Sequence, residues 1–470
     1  MSAASELEIF ANAVDDDAPL LARKQSVVTQ RVFSQAWQRF SEDLGPAPLG
    51  INVCADRGAF MVAFCAVLAR HGTTLLPSDT LPATLTRVRE HWPGAQTIVD
   101  RGGGVQRAVN EALVCDVAAL IAGDAAEGRG TSSARARPVS ERIAADHVAA
   151  VPFTSGSTGV PRPQPKRWGA MHYVAAMTNA RLFADLPRYS VVATVPSQHM
   201  YGLEMTLMLA LQGRALIAAD RPLMPADIAA ALHRLPQPRV LVTTPVHLRA
   251  LVRSGQPLPA IALIVSATAP LSTTLAAHTE ARLRAEVHEI YGCTEAGALA
   301  TRRTVDGDVW QLFDGIRIGS VPGEDEGVVQ GPHLLAPVPL PDRIACVDGQ
   351  RFRLLGRRGD LINVAGKRAS LAELNQKLLE VTGVLDGVIF APADDPDRDA
   401  AAGGGNVEIG RLRGLVVTDG RGEGEVLREL ARRVDAVFLP RPFYKVDAIE
   451  RTATGKIPRA VLTGACRADD

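Results

Sequence analysis

Several common signatures are missing from this chain of 470 residues, and each absence narrows what it does. Neither sign of charge is in excess: 51 Lys and Arg face 51 Asp and Glu, a formal net charge of +0. A bulk electrostatic partner such as nucleic acid is therefore not expected, and any anion binding has to come from local placement. Cysteine is scarce, with Cys54, Cys65, Cys115, Cys293, Cys346 and Cys466 scattered, no C-x-x-C pair and no histidine at zinc spacing. That usage fits a reducing compartment. Aromatics make up only 4%, which reads as compositional drift rather than function. No uncharged apolar run reaches the ~18 residues that span a bilayer. The stretch from Met1 to Asp17 is acidic and lacks the basic and apolar regions of a signal peptide. A soluble, cytoplasmic protein with no membrane span is expected. The phosphate-loop string G-x-x-x-x-G-K-[ST] does not occur either.

What is present is enough apolar sequence, 47%, to build more than one core in a chain this long. In the first half, strand-like runs alternate with helical ones. The pattern predicts a helix over 59–68 and strands over 73–77, 97–100, 191–196, 240–243 and 262–266. A further helix is expected over 203–211, closed by Gly213. This βαβ rhythm predicts an α/β fold with parallel-type sheets covered by helices. Residues 309–340 are broken by Gly and Pro into short apolar runs, as in a small antiparallel β region. A boundary is expected at the polar turn 356–360, giving a large domain over 1–357 and a compact α+β domain over 358–470. In the latter, Ser370 is expected to N-cap a helix to Glu380, with Glu373 closing a capping box. Val426, Leu427, Leu430, Val434 and Val437 share a helical spacing.

Four segments carry chemistry. The first, Thr154-Ser155-Gly156-Ser157-Thr158-Gly159, follows the apolar run 148–151. Glycines let its backbone approach a polyanion closely, and hydroxyls and N–H groups can then point at phosphate oxygens. A flexible Gly/Ser linker is the alternative. The second is Tyr291-Gly292-Cys293-Thr294-Glu295. The third runs from Gly356-Arg357-Arg358-Gly359-Asp360 to Gly366. The fourth is Thr454-Gly455-Lys456-Ile457.

Together, in this order, the four segments resemble the adenylate-forming superfamily of acyl-CoA synthetases, peptide-synthetase adenylation domains and luciferases. The resemblance covers roughly residues 148–462. It implies that ATP and Mg²⁺ activate a carboxylic acid as acyl-AMP with release of pyrophosphate, and that a phosphopantetheine thiol of CoA or an acyl carrier protein then takes the acyl group. It further implies that the first loop cradles the β- and γ-phosphates, that Thr294 contacts the α-phosphate, that Glu295 holds Mg²⁺, and that Lys456 serves the adenylation step. The Ala267-Thr268-Ala269-Pro270 run stands where the family has Gly-Gly-Ala-Pro against adenine. Tyr291 and Gly292 would flank the nucleotide, with Asp342 and Arg357 at the ribose. A mobile C-terminal domain is implied, with a hinge at Gly359 and a thiol tunnel passing Gly366.

Some positions depart from that pattern. Pro161-Arg162 replaces the usual Pro-Lys, so Arg162 or Lys166 would supply the positive charge. Leu340-Pro341 replaces the usual Thr-Gly before Asp342. His199 is a candidate wall of the acid pocket or a packed core histidine, while Tyr201, Met205 and Met208 line that pocket or fill core. The run from Pro161 to Trp168 and Gln198-His199-Met200-Tyr201-Gly202-Leu203-Glu204 are similar to the compact ligases of aryl polyene and xanthomonadin-type pigment pathways. Two rival readings stay open. One is a degenerate module that binds nucleotide or acyl group without turnover. The other is a phosphotransferase, which would leave the second and fourth segments without a task.

Overall fold

The computed structural model describes residues 5–11, 16–102, 112–122, 141–155, 161–212, 214–320, 326–357, 361–364, 367–391, 411–451, 457 and 461–462. The architecture is mixed α/β, with two large sheets ahead of a smaller C-terminal unit, as the sequence rhythm predicts. One sheet places Val148–Ser155, Thr73–Leu76, Leu49–Asn52, Gln96–Asp100 and Leu113–Cys115 side by side in parallel. Pro161–Pro163 and Lys166–Arg167 both return antiparallel along Val148–Ser155.

The second sheet has thirteen strands. Its parallel centre runs Pro19–Ala22, Ala215–Ala218, Tyr189–Ala193, Arg239–Thr243, Leu263–Ser266 and Glu286–Cys293. At Glu286–Cys293 the direction changes, because Gly297–Arg303 folds straight back on it. The stretch expected as a small β region is antiparallel, yet it is not separate. Val309–Leu312, Arg351–Arg357, Val338–Cys346, Glu326–Gln330 and Arg317–Ser320 extend the same sheet outward.

Helix Arg57–Ala69 is buried along its whole length, which an apolar surface on every side requires. Asp56 caps it by accepting from the Ala59 N–H at 2.8 Å. The helix expected from residue 203 begins at Met200, and its turns widen into a π-helix over Glu204–Met208. It can start there because Gly202 lies flat on the preceding chain: a Cβ would stand 2.0 Å from the Pro196 carbonyl oxygen.

In the C-terminal part, Val384–Phe390, Arg413–Thr418 and Phe443–Lys445 form one sheet. Helices Leu371–Leu379 and Glu423–Leu430 close a core that includes Leu374, Leu378, Val416 and Leu430. The capping box at Ser370 does not form, since the Ser370 side chain makes no bond to the first helical turn. Its Oγ leans on the strand before it, 2.9 Å from where a Gly356 Cβ would sit, and Glu373 pairs instead with Lys377 at 2.6 Å. Helix Glu423–Leu430 also stops short of the spacing read from sequence, with Val437 falling in a separate 3₁₀ turn. Among the described residues, no helix is long and apolar enough to cross a membrane.

Candidate functional site

Among the described residues, the two large sheets are linked beside the chemistry-bearing segments by Lys166 and Glu295. Ser155 pairs with Pro161, Thr154 with Arg162 and Phe153 with Pro163, so the strands flanking the first loop form an antiparallel hairpin. Gly156, Ser157, Thr158 and Gly159 lie outside the described residues, as do the side chains of Thr154 and Ser155. Arg162 is exposed on this hairpin. Lys166 instead turns inward, and its Nζ donates to the Glu295 carbonyl oxygen at 2.6 Å. Burial pulls its ammonium below the usual lysine range, against the opposing pull of Glu204 and Glu295.

Tyr291, Gly292 and Cys293 end the strand Glu286–Cys293, and Thr294 and Glu295 occupy the tight turn into Gly297–Arg303. The turn needs glycine twice. Gly292 carries a register shift, and a Cβ there would stand 2.3 Å from the Gly297 carbonyl oxygen. Gly297 has φ +76. Thr294 and Glu295 are half-buried at the tip.

The Tyr291 hydroxyl donates to Asp342 Oδ2 at 3.0 Å. Asp342 is the cross-strand partner of Arg357, so the two residues that the resemblance sets at the ribose share one rung of a β-ladder. The Tyr291 ring packs on Trp310, and Arg302 lies over that Trp310 ring at 4.6 Å.

The run Ala267-Thr268-Ala269-Pro270 leaves Leu263–Ser266 at the carboxyl end of the parallel strands, one strand from Tyr291. Ligands of open α/β sheets settle at such ends. Thr268 holds φ +78, a backbone state that glycine adopts cheaply and a β-branched residue does not. The segment is pinned from behind by Glu289, which is 2% exposed. Its carboxylate accepts from Leu271 N–H at 3.1 Å, Arg302 Nε at 2.6 Å and Thr304 Oγ1 at 2.7 Å.

His199 is half-buried at the N-cap of Met200–Leu203. Tyr201 is buried, and its hydroxyl donates to the Val265 carbonyl oxygen at 2.9 Å, on the strand that carries Ala267. Met205 and Met208 are fully packed. A cavity of ≈ 250 Å³ opens beside Glu295, lined among others by Lys166, Met171, Met200, Glu204 and His333. Burial pushes the Glu204 carboxyl up to about 7, with Lys166 and the Ala298 N–H acting the other way.

Two of the four segments are thus brought together, the second and the third, and Lys166 ties the hairpin of the first to them. Gly359, Gly366 and Lys456 lie outside the described residues, and so does the Arg357 side chain. Sequence reasoning missed Arg57, Glu204, Glu289 and His333. Of these only Glu204 carried a signal, as the last residue of Gln198–Glu204.

No group of three or more His, Cys, Asp or Glu side chains placed to hold a metal occurs among the described residues. A single hard carboxylate, Glu295, suits Mg²⁺ nonetheless, since that ion keeps waters and takes substrate phosphates rather than an all-protein cage.

Comparison with known proteins shows the family and the fold. The model of a family described as "AMP-binding enzyme" matches residues 53–323. A 4-coumarate–CoA ligase of Rhodobacter capsulatus is 32% identical over 233 residues, covering 49% of this chain and 57% of the relative. The chain thus spans little more than half the length of that relative. The structure of an o-succinylbenzoate coenzyme A synthetase from Bacillus subtilis with AMP superposes with a TM-score of 0.77 at 16% identity, over 97% of this chain and 96% of that one. An anthranilate CoA ligase with anthranoyl-AMP gives 0.76 at 14% identity, over 97% and 96%. At these identities the likeness shows the fold.

Proposed function

Because the chain belongs to the AMP-binding enzyme family, we propose that it is an acid–thiol ligase working in two steps. In the first, a carboxylate oxygen of the substrate attacks the α-phosphorus of ATP. The bond to the bridging oxygen breaks, and pyrophosphate leaves with its electron pair. In the second, a phosphopantetheine thiolate attacks the acyl carbon, and AMP leaves with the oxygen it had gained. Most of the catalytic work is positioning and charge stabilisation.

The observation that carries this reading is the pair of bonds that gather the segments: Lys166 to the Glu295 carbonyl, and Tyr291 to Asp342. They tie the hairpin to the Glu295 turn, and the end of strand Glu286–Cys293 to the Asp342–Arg357 rung. Thr154, Ser155, Gly156, Ser157, Thr158 and Gly159 would cradle the β- and γ-phosphates. Ala267, Thr268, Ala269 and Pro270, with Tyr291 and Gly292, would flank adenine. Asp342 would accept from the ribose hydroxyls beside Arg357. Thr294 would contact the α-phosphate, and Glu295 would hold Mg²⁺, which offsets phosphate charge when bound.

Lys456, from a C-terminal domain over 358–470, would reach the α-phosphate and the attacking carboxylate. Gly359 would serve as hinge and Gly366 would let the thiol arm pass. His199 and Tyr201 would wall the acid pocket. The named relatives support a small aryl acid as substrate. The acceptor would be CoA, as for the named relatives, or an acyl carrier protein, to which the likeness of the two runs around Lys166 and Glu204 to pigment-pathway ligases points.

The test is an acid-panel pyrophosphate assay, with CoA and a holo carrier protein as separate acceptors. Lys456→Ala is expected to lower acid-dependent pyrophosphate release by about 10²-fold or more, and to spare thiol capture of supplied acyl-adenylate. Release at the parental rate would remove Lys456 from the mechanism. ATP binding without release across the panel would favour the non-catalytic module.

A further inference from the structure

Lys166 and Glu204 have no part in the chemistry just described, yet both line the cavity beside the residue assigned to Mg²⁺. They grip the same short turn from different elements. Lys166, on the strand after the phosphate hairpin, donates to the Glu295 carbonyl at 2.6 Å. His333 Nε2 lies 3.0 Å from the next carbonyl, that of Ala296. A Cβ on Gly297 would stand 2.9 Å from Glu204 Oε1. Glu204, 8% exposed, thus brings its carboxylate up against the turn. Residues 295, 296 and 297 are thereby held or touched in turn, the two bonds falling on the Glu295 and Ala296 carbonyls.

We propose that Lys166, Glu204 and His333 form a brace that fixes the turn and so aims the Glu295 carboxylate at the nucleotide's cation. The chemistry of the three suits the task. The Glu295 and Ala296 carbonyls at the tip lie outside the ladder, so side chains must supply their donors. A lone buried ammonium or carboxylate would be costly, whereas opposite charges on one cavity offset that cost. The π-helix starting at Glu204 is a place where a helix changes which face its residues present, and such turns gather at functional sites. The three are positioning residues, and the Mg²⁺ part of the role rests on the ligase reading above.

Amide hydrogen exchange of the ligand-free protein tests the brace without any reaction. Lys166→Met and Glu204→Met are each expected to speed exchange at residues 295–299 about tenfold, the loss of roughly one hydrogen bond, while Glu286–Ile290 stays at the parental rate. The double variant should exchange less fast than the two effects multiplied, because both act on one turn. Should Lys166→Met fail to fold, Lys166→Arg keeps the charge and is expected to show an intermediate rise. Parental exchange across 295–299 would overturn the brace. In the assay, the Mg²⁺ concentration for half-maximal pyrophosphate release should rise about tenfold with the acid KM unmoved. Faster exchange with an unchanged Mg²⁺ requirement would overturn the aiming role. A parent protein that released no pyrophosphate with any acid would sink the ligase reading alone, and the exchange result would still decide the brace.

Discussion

Arg57 shows how much one buried side chain can organise. It is 2% exposed and donates to the carbonyls of Ala193, Val195, Ala218 and Asp220 and to Ser197 Oγ. Burial lowers its pKa to about 10. These acceptors crowd the carboxyl ends of two parallel strands, and Val195–Ser197 leads directly to His199. Arg57→Met leaves those carbonyls without their donor and is expected to cost about 3–5 kcal/mol in urea unfolding. Arg57→Lys should recover only a fraction, since an ammonium cannot span the same fork. A loss below about 1 kcal/mol would mean that water replaces the guanidinium. Glu204 makes a pH prediction. Its carboxyl is raised from 4.5 to about 7 in the folded protein. Between those values the folded state keeps a proton that the unfolded chain has released. Stability from this group is therefore greatest at low pH and falls as pH rises through 7. Glu204→Gln should flatten that part of the slope in thermal melts between pH 5 and 8; a parental slope in the variant would assign the titration elsewhere.

At the scale of elements, the hairpin from Glu286 to Arg303 is the part most sensitive to a single atom. A methyl on Gly292 would meet the Gly297 carbonyl oxygen at 2.3 Å and Ala298 Cα at 2.9 Å, both main chain. Gly292→Ala is expected to cost about 1–3 kcal/mol by overpacking and to weaken ATP binding, both readable by melting and calorimetry. Parental ATP affinity in a destabilised variant would make this glycine structural only. The elements themselves were largely legible in the sequence, because strand and helix periods are local. Asp342 and Arg357 were singled out through the family resemblance, and that they face each other on one rung comes from the fold. Long-range partners were not legible. Arg57 and Glu289 bond groups far along the chain, and only burial selects them. Ser370 looked like a cap, yet its hydroxyl is turned toward Gly356 by the strand pairing before the helix. Arg162 and Lys166 carry the same charge in sequence, and only the fold turns one outward and the other inward.

Across the whole molecule, the C-terminal unit touches the large one through crowded charge. Asp386 is held by Arg451 at 2.7 Å, while Arg249 and Arg253 of helix Pro245–Ser254 approach from the other side. Arg253 also donates to the Val384 carbonyl. Burial is the main reason that Arg249 falls to about 10, and the neighbouring guanidiniums add to it. Asp386→Asn would remove the anion that Arg249, Arg253 and Arg451 share and leave Asp419 facing Arg253. The contact is expected to weaken by about 1–3 kcal/mol, read as faster amide exchange at residues 384–390 and 249–253 together. Unchanged exchange would show that solvent already screens these charges.

The rung joining Asp342 to Arg357 has a mechanical consequence. Arg357 closes the last strand, in chain order, of the thirteen-strand sheet, and from that residue the chain leaves for its final quarter. A sugar gripped at Asp342 would therefore sit at the fulcrum of any swing by the tail. Occupancy and leverage would share one point, so that even a small rotation there would be felt most at the far end of the arm.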